Sequence, residues 1–356
     1  MRLLRASIGG CCSLYNALSG SYTPLRVRGV VNVARGKTGA GAQRRDRGPT
    51  SPRSAHFPAE SLPGYRVGFV GVFGQTNVGK STILNALLGK KVLISSSKPQ
   101  ATRNRIRCVL TNQDAQIVFV DTPGLHRPKT KLSRSLVREA YRGLRGIDLL
   151  LYVVEPWGAV HPSDHHALDR LESVDVPIIL LVNKIDVAKG NALEETLLAY
   201  AATDRFAELI PISATRRIGL GDVVETIVSY LPHGEPLFPP EVMCDRPEEF
   251  LIEEIVREKV FQRTYQEIPY SVAVRVKWMR DAGPQLCEIK AEILVARDSQ
   301  KGILVGKGGR MIKEIGSAAR REIERLLGRR VFLELVVAVS PRWTEDDATI
   351  REVTQP

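Results

Sequence analysis

The sequence predicts two domains: a doubly wound α/β domain on a mostly parallel sheet, then a smaller α+β domain. Three observations predict them. Apolar strand-length runs alternate with helical patterns between residues 65 and 231, the order that gives a parallel sheet covered on both faces. A loop of the form G-x-x-x-x-G-K-S joins the first strand to the first helix. Four prolines in residues 232–240 then break the pattern, and beyond them the order is helix–strand–strand–helix–GKGG–helix–strand.

Length and charge fit this division. The 356 residues carry a formal charge of +12, which taken whole points to a polyanionic partner. Residues 1–58, however, hold nine Arg, Lys37 and a single acid, Asp46, so they carry +9 and leave only +3 for the rest. The expected organisation is a disordered basic extension over 1–60, an α/β domain over 61–232, a linker over 233–245, an α+β domain over 246–342 and a tail over 343–356. The Arg- and Ser-rich, acid-poor extension has the composition of an organelle transit peptide, and equally that of an unstructured leader. No apolar run reaches the roughly 18–20 residues that span a bilayer. Cysteines 11, 12, 108, 244 and 287 are odd in number and lack metal-ligand spacing, which fits a reducing compartment.

In chain order, residues 66–72 read as a buried strand that enters Gly74, Gln75, Thr76, Asn77, Val78, Gly79, Lys80, Ser81 and Thr82. Glycines let the backbone wrap a phosphate chain, the helix over 80–88 adds the positive potential of its N-terminus, Lys80 reaches the β- and γ-phosphates, and Ser81 offers a hydroxyl to Mg2+. Strands at 106–110 and 116–120 are close enough to form an antiparallel hairpin. The second delivers Asp121, Thr122, Pro123 and Gly124, with Asp121 placed for the metal shell and the Gly124 N–H for the γ-phosphate. A helix over 134–145, a strand over 148–154 and a helix over 163–173 follow.

The strand over 177–182 ends in Asn183-Lys184-Ile185-Asp186, whose carboxylate accepts from the guanine N1–H and 2-amino group that adenine lacks. After a helix over 193–207, the strand 209–212 leads to Ser213-Ala214, a second base loop, and a helix over 222–231 ends the domain. Four such motifs in order, each at a strand end, predict GTP rather than ATP.

Thr102, in Lys98-Pro-Gln-Ala-Thr-Arg-Asn-Arg105, is the candidate switch threonine that closes over Mg2+, against the plainer reading of a surface loop residue. Lys80, Thr102 and Gly124 are the candidate catalytic groups. Leu125 stands where a water-orienting glutamine is used elsewhere, so either intrinsic hydrolysis is slow or the attacking water is positioned by another group. Asn77 is a candidate K+ ligand or a loop-stabilising amide.

In the second domain, a helix over 247–262, strands over 271–278 and 288–295, helices over 299–305 and 310–327 and a strand over 331–339 surround Gly306-Lys307-Gly308-Gly309. Such a turn between helices clamps nucleic-acid backbone, with Arg310 and Lys313 beside it. The alternative is an αα-corner with a glycine turn. Residues 301–330 carry nine basic and three acidic side chains, a local +6.

The body over roughly 65–352 resembles the Era family, KH-containing GTPases of small ribosomal subunit assembly. The resemblance rests on G-x-x-N-V-G-K-S at 74–81, Q-x-T-R at 100–103, D-T-P-G-L-H at 121–126, N-K-x-D at 183–186, Ser213-Ala214, I-V-R-E-K at 255–259, P-Y-S-V at 269–272 and GKGG at 306–309. Gln75-Thr76 and Ala101 depart from the family pattern. The resemblance implies a P-loop GTPase domain followed by an α+β type II KH domain, GTP/GDP and Mg2+ as ligands, and binding to small-subunit rRNA near its 3′ end on the pre-30S particle. It implies a monomer in the cytoplasm, peripheral on the inner face of the cell membrane in some members. A mitochondrial or plastid matrix is the alternative if residues 1–58 are a transit peptide. A switch acting through protein or membrane partners, and an RNA adaptor with a decayed nucleotide domain, remain as other readings. Intact Lys80, Asp121 and Asp186 argue against the last.

Overall fold

The computed structural model describes residues 64–341 apart from 96–97, 99–101, 104–105, 125–130 and 173. The basic extension, Gln100, Ala101, Leu125, His126 and the C-terminal tail lie outside the described residues.

The first domain contains β1 (Arg66–Gly74), α1 (Lys80–Leu88), β2 (Ile106–Thr111), β3 (Ala115–Asp121), α2 (Lys131–Arg142), β4 (Leu149–Val154), α3 (Pro162–Leu171), β5 (Ile178–Val182), α4 (Ala192–Ala201), β6 (Glu208–Pro211) and α5 (Leu220–Tyr230). The sheet order is β2-β3-β1-β4-β5-β6, parallel except for the β2–β3 hairpin. Every residue of β3, β4 and β5 is buried, because helices cover both faces of a parallel sheet. The hairpin turns on Asn112, whose side-chain oxygen accepts from Asp114 N and Ala115 N at 2.9 and 2.7 Å.

One face of the sheet packs Val70 and Val72 against Ile83, Leu84, Val223 and Ile227, and the other packs Phe73, Tyr152 and Leu180 against Leu168 and Tyr200. Ile83 is fully buried, so Ile83→Ala costs about 2–5 kcal/mol. β1 pairs with β3 on one side and β4 on the other, so the strand order reverses there and a crevice opens beyond the strand C-termini.

Helix α4 stops at Ala201, short of the expected 207. Thr203 Oγ1 donates to Tyr200 O at 2.7 Å, Asp204 takes φ +53, and the Phe206 ring packs 5.9 Å from Tyr200, which turns the chain into β6.

The second domain contains α6 (Glu248–Arg263), β7 (Ala273–Gly283), β8 (Leu286–Val295), α7 (Asp298–Val305), α8 (Arg310–Leu327) and β9 (Arg330–Val339), with sheet order β7-β8-β9. Strand β7 extends five residues beyond the expected end at 278, because it pairs with β8 as far as Gly283. Ile315, Ala319 and Ile323 repeat every four residues along α8 and bury against Ile289, Ile293, Val256 and Val260. The other face of this sheet meets the first domain, where Leu136 of α2 packs with Ala273 and Leu294.

Polar contacts also cross between the domains. Lys91 Nζ lies 2.7 Å from Glu258 and 2.6 Å from Glu322. Lys98 donates to the carbonyls of Phe261 and Thr264 at the end of α6. Arg103, 1 % exposed, donates to the carbonyls of Val272, Pro269 and Tyr270 at 2.6, 3.1 and 2.9 Å.

Candidate nucleotide and nucleic-acid sites

The predicted nucleotide residues converge on the crevice at the end of β1. Gly79 has φ +101, and a Cβ there would fall 2.3 Å from the Asn183 amide, so only glycine lets the loop pass the base loop this closely. Lys80 is 6 % exposed, and its Nζ donates to the carbonyls of Gly74 and Gln75 at 3.0 and 2.8 Å. Burial pulls Lys80 down to about 8, with the Asp121 charge opposing.

Ser81 Oγ lies 3.1 Å from Thr102 Oγ1 and 3.3 Å from Asp121 Oδ2. Burial pushes Asp121 up to about 6 against Lys80, Ser81, the Thr122 N–H and Thr102, which all favour its charged form. Gly124 is buried beside this group, and a Cβ on it would come 2.8 Å from Thr76 and 3.0 Å from Lys80 Nζ.

Several predicted residues turn their side chains to protein partners. Thr122 Oγ1 donates to Val72 O at 2.7 Å and ties the end of β3 to β1. Gln75 Nε2 donates to Asp164 Oδ1 at 3.0 Å, and Asp164 also accepts from the hydroxyls of Tyr152 and Tyr200 at 2.8 and 2.6 Å. Gln75 therefore anchors the phosphate loop to the start of α3 and offers a ligand its backbone.

Asn183 Nδ2 donates to Val78 O at 2.9 Å, while its Oδ1 accepts from Ala214 N at 3.1 Å. One buried amide thus holds together the phosphate loop and both base loops. Lys184 donates to Asn77 O at 2.8 Å and Glu155 at 2.6 Å. Asp186 Oδ1 accepts from Ser213 Oγ at 2.6 Å, which aims the carboxylate within the second base loop.

Sequence reasoning missed Arg103, Glu155 and Asp164. Glu155 carried a signal, being the acid that directly follows the apolar run of β4. Arg103 falls within the Q-x-T-R motif, but its carbonyl partners, like those of Asp164, come from remote parts of the chain, so its role is not readable locally.

The second candidate site lies between α7 and α8. Lys307–Gly309 form a single 3-10 turn in which Gly309 N donates to Gly306 O at 3.1 Å. Lys307, Gly308, Arg310 and Lys313 are exposed, and Arg310 pairs with Glu314 at 3.0 Å. Helix α8 has no side-chain cap and no acid in its first turn, so its N–H groups face outward beside these cations.

Two family descriptions match the chain: 50S ribosome-binding GTPase over residues 69–184 and KH domain over 267–344. The GTPase Era of Geotalea uraniireducens (strain Rf4) is 44% identical over 288 residues, which is 81% of this chain and 97% of that protein. The GTPase Era of Alkaliphilus oremlandii (strain OhILAs) is 43% identical over 288 residues, 81% of this chain and 98% of that one.

A crystal structure of Era in complex with MgGDPNP and nucleotides 1506–1542 of 16S ribosomal RNA aligns at a TM-score of 0.77 and 39% identity, covering 81% of this chain and 98% of the other. A point variant of Aquifex aeolicus Era bound to GDP and AlF4− aligns at 0.77 and 40% identity, with the same coverage. A phosphate loop, both base loops and a GKGG turn in one chain, together with likenesses that cover 81% of it, lead to one conclusion: the chain belongs to the Era family of GTPases.

Proposed function

We propose that the chain is a GTP-hydrolysing switch that binds small-subunit rRNA near its 3′ end through the GKGG loop and assists 30S subunit assembly. As a family member it is a GTPase, converting GTP to GDP and phosphate. The observation that carries the switch reading is a pair of neighbouring residues. Thr102 Oγ1 lies 3.1 Å from Ser81 in the phosphate loop, and Arg103 is buried against three carbonyls of the second domain. One peptide unit therefore joins the nucleotide crevice to the RNA-binding domain. The likeness to an Era crystallised with MgGDPNP and 16S ribosomal RNA supports both ligands.

In this reading the backbone N–H groups of residues 74–82 hold the phosphates. Lys80 turns from the carbonyls of Gly74 and Gln75 to the β- and γ-phosphates, and the Gly124 N–H meets the γ-phosphate. Asp186 reads the guanine edge, steadied by Ser213, with Ala214 and Lys184 completing the base site.

The residues present also fit Mg2+. The oxygens of Ser81, Thr102 and Asp121 converge, and among the described residues the buried Asp121 Oδ1 has no hydrogen-bond partner. Hard oxygen donors of this kind hold Mg2+, which when bound neutralises charge on the phosphate oxygens. Asn77 is the proposed K+ ligand, and replacing KCl by NaCl is expected to slow turnover. Gly306, Lys307, Gly308, Gly309, Arg310 and Lys313 form the proposed RNA contact. On this reading the chain acts as a monomer in the cytoplasm.

The test is the affinity of an rRNA 3′-end oligonucleotide for the GTP-analogue and GDP forms. Tighter binding by the analogue form is expected, and equal affinities would overturn the coupling. Arg103→Ala is expected to bring the two affinities together while GTP turnover persists. Among the described residues no helix is long and apolar enough to cross a membrane.

A further inference from the structure

The linker between the domains returns along the outer edge of β2, the edge strand of the first sheet. Val109 N donates to Met243 O at 3.0 Å, and Asp245 N donates to Arg107 O at 3.0 Å. These two bonds flank Cys108 and Cys244, which face each other in antiparallel register. A pair placed this way is a non-hydrogen-bonded pair, with Cα atoms about 4.5 Å apart and side chains on the same face. That spacing falls within the range of about 4.4–6.8 Å that a disulfide spans. Both residues are free thiols, Cys108 buried and Cys244 half-buried, and the two side chains are hydrogen-bonded to each other.

We propose that Cys108 and Cys244 form a reversible disulfide that fastens the interdomain linker to β2 when the chain meets an oxidant of the peroxide class. The two residues differ in a way that assigns their order of reaction. Cys244 is the one with access to solvent. The hydrogen bond from Cys108 lowers the Cys244 thiol and raises that of Cys108 well above the usual range, so Cys244 forms the first thiolate.

The Cys244 thiolate attacks one peroxide oxygen and the O–O bond breaks. This leaves a sulfenic acid on Cys244 and hydroxide, which takes up a proton as water. The sulfur of Cys108 then attacks Cys244 Sγ, the S–O bond breaks, and the hydroxyl leaves as a second water with the proton of Cys108. Two thiols have lost two electrons and two protons, and the peroxide has accepted them.

The bond joins two parts of one route. Strand β2 continues the segment that holds Thr102 and Arg103, and the linker leads directly into α6. Oxidation would remove the freedom of the linker to peel from β2.

The full chain treated with hydrogen peroxide, then mapped as peptides without reduction, tests this. The expected result is a cross-linked pair containing Cys108 and Cys244, reversed by a thiol reductant, with buried Cys287 unmodified in the same sample. Amide exchange at Val109 and Asp245 should slow in the oxidised form. Cys244→Ser, at a half-buried position that should leave folding intact, should give no such pair. Sulfinic acid on Cys244 with Cys108 still reduced would overturn the proposal. So would unchanged exchange at both amides in a fully cross-linked sample.

Discussion

The loop at Gly74–Ser81 and the loop at Gly306–Arg310 both present a helix N-terminus free of acidic residues, yet the first is walled in and the second stands open. In the first, Lys80 and Val78 are buried, and the Asn183 amide closes over Gly79. In the second, Lys307, Gly308 and Arg310 are exposed, and a Cβ on Gly308 would meet nothing within 4 Å. Glycine is required at Gly79 by a neighbouring side chain as well as by φ +101, and at Gly308 by φ +59 alone. The difference fits the two ligands. A nucleotide is one small molecule, and fixed donors recognise it best without reorganisation. An RNA strand is a polymer that needs an accessible, charged edge.

The largest effect expected from breaking this contrast is at Lys80. Lys80→Ala should lower single-turnover GTP hydrolysis by about 10³-fold, as loss of a charged phosphate donor does. Hydrolysis that survived unchanged would remove this loop from the phosphate site.

Next come the two glycines, compared by urea unfolding. Gly79→Ala is expected to cost about 3 kcal/mol or more, since it adds a steric overlap with Asn183 to the backbone strain. Gly308→Ala is expected to cost only about 1–2 kcal/mol, the strain of the left-handed backbone alone. Equal costs would mean that the two loops are not built differently.

The open loop should fail in binding instead. Gly309→Asp places a negative charge where phosphates approach, and should weaken binding of an rRNA 3′-end oligonucleotide about tenfold in fluorescence anisotropy. GTP turnover without RNA should stay as it is. Lost turnover would show that the second loop serves the nucleotide site.

The smallest effect is in pH. Lys80 sits at about 8 in the ligand-free protein, and phosphate favours its charged form. At pH 7 the lysine is mostly protonated and Asp121, at about 6, is mostly charged, so GTP affinity should be near its maximum there. Above about pH 8, binding must take up a proton, and affinity should be about fourfold weaker at pH 8.5 than at pH 7. Isothermal titration would read this, and Lys80→Arg should flatten the profile, because arginine stays charged across the range.

The parts whose information is local are legible in the amino-acid order. The strand–loop–helix around Gly74–Ser81 has its spacing within eight residues, and so do Asp121–Gly124, Asn183–Asp186 and the GKGG turn. Each works through backbone geometry and a few neighbouring side chains, so its chemistry can be read without knowing what packs on it. The alternation of elements fixed the parallel sheet for the same reason, since burial on both faces writes an unbroken apolar run into β4 and β5.

How these pieces are joined depends on contacts that form only in the folded chain. Asn183 reads as a base-loop residue, yet its side chain clamps Val78 and Ala214. Gln75 reads as part of the phosphate loop, yet its amide is spent on Asp164. Arg103 reads as the last residue of Q-x-T-R with no partner assigned, and only the fold buries it under the carbonyls of Pro269, Tyr270 and Val272. Cys108 and Cys244 show no pairing in sequence, and the return of the linker along β2 brings them face to face. The physical reason is common to all four. A contact between residues far apart in the chain forms only when folding brings their elements together, and no local period or motif encodes which elements those will be.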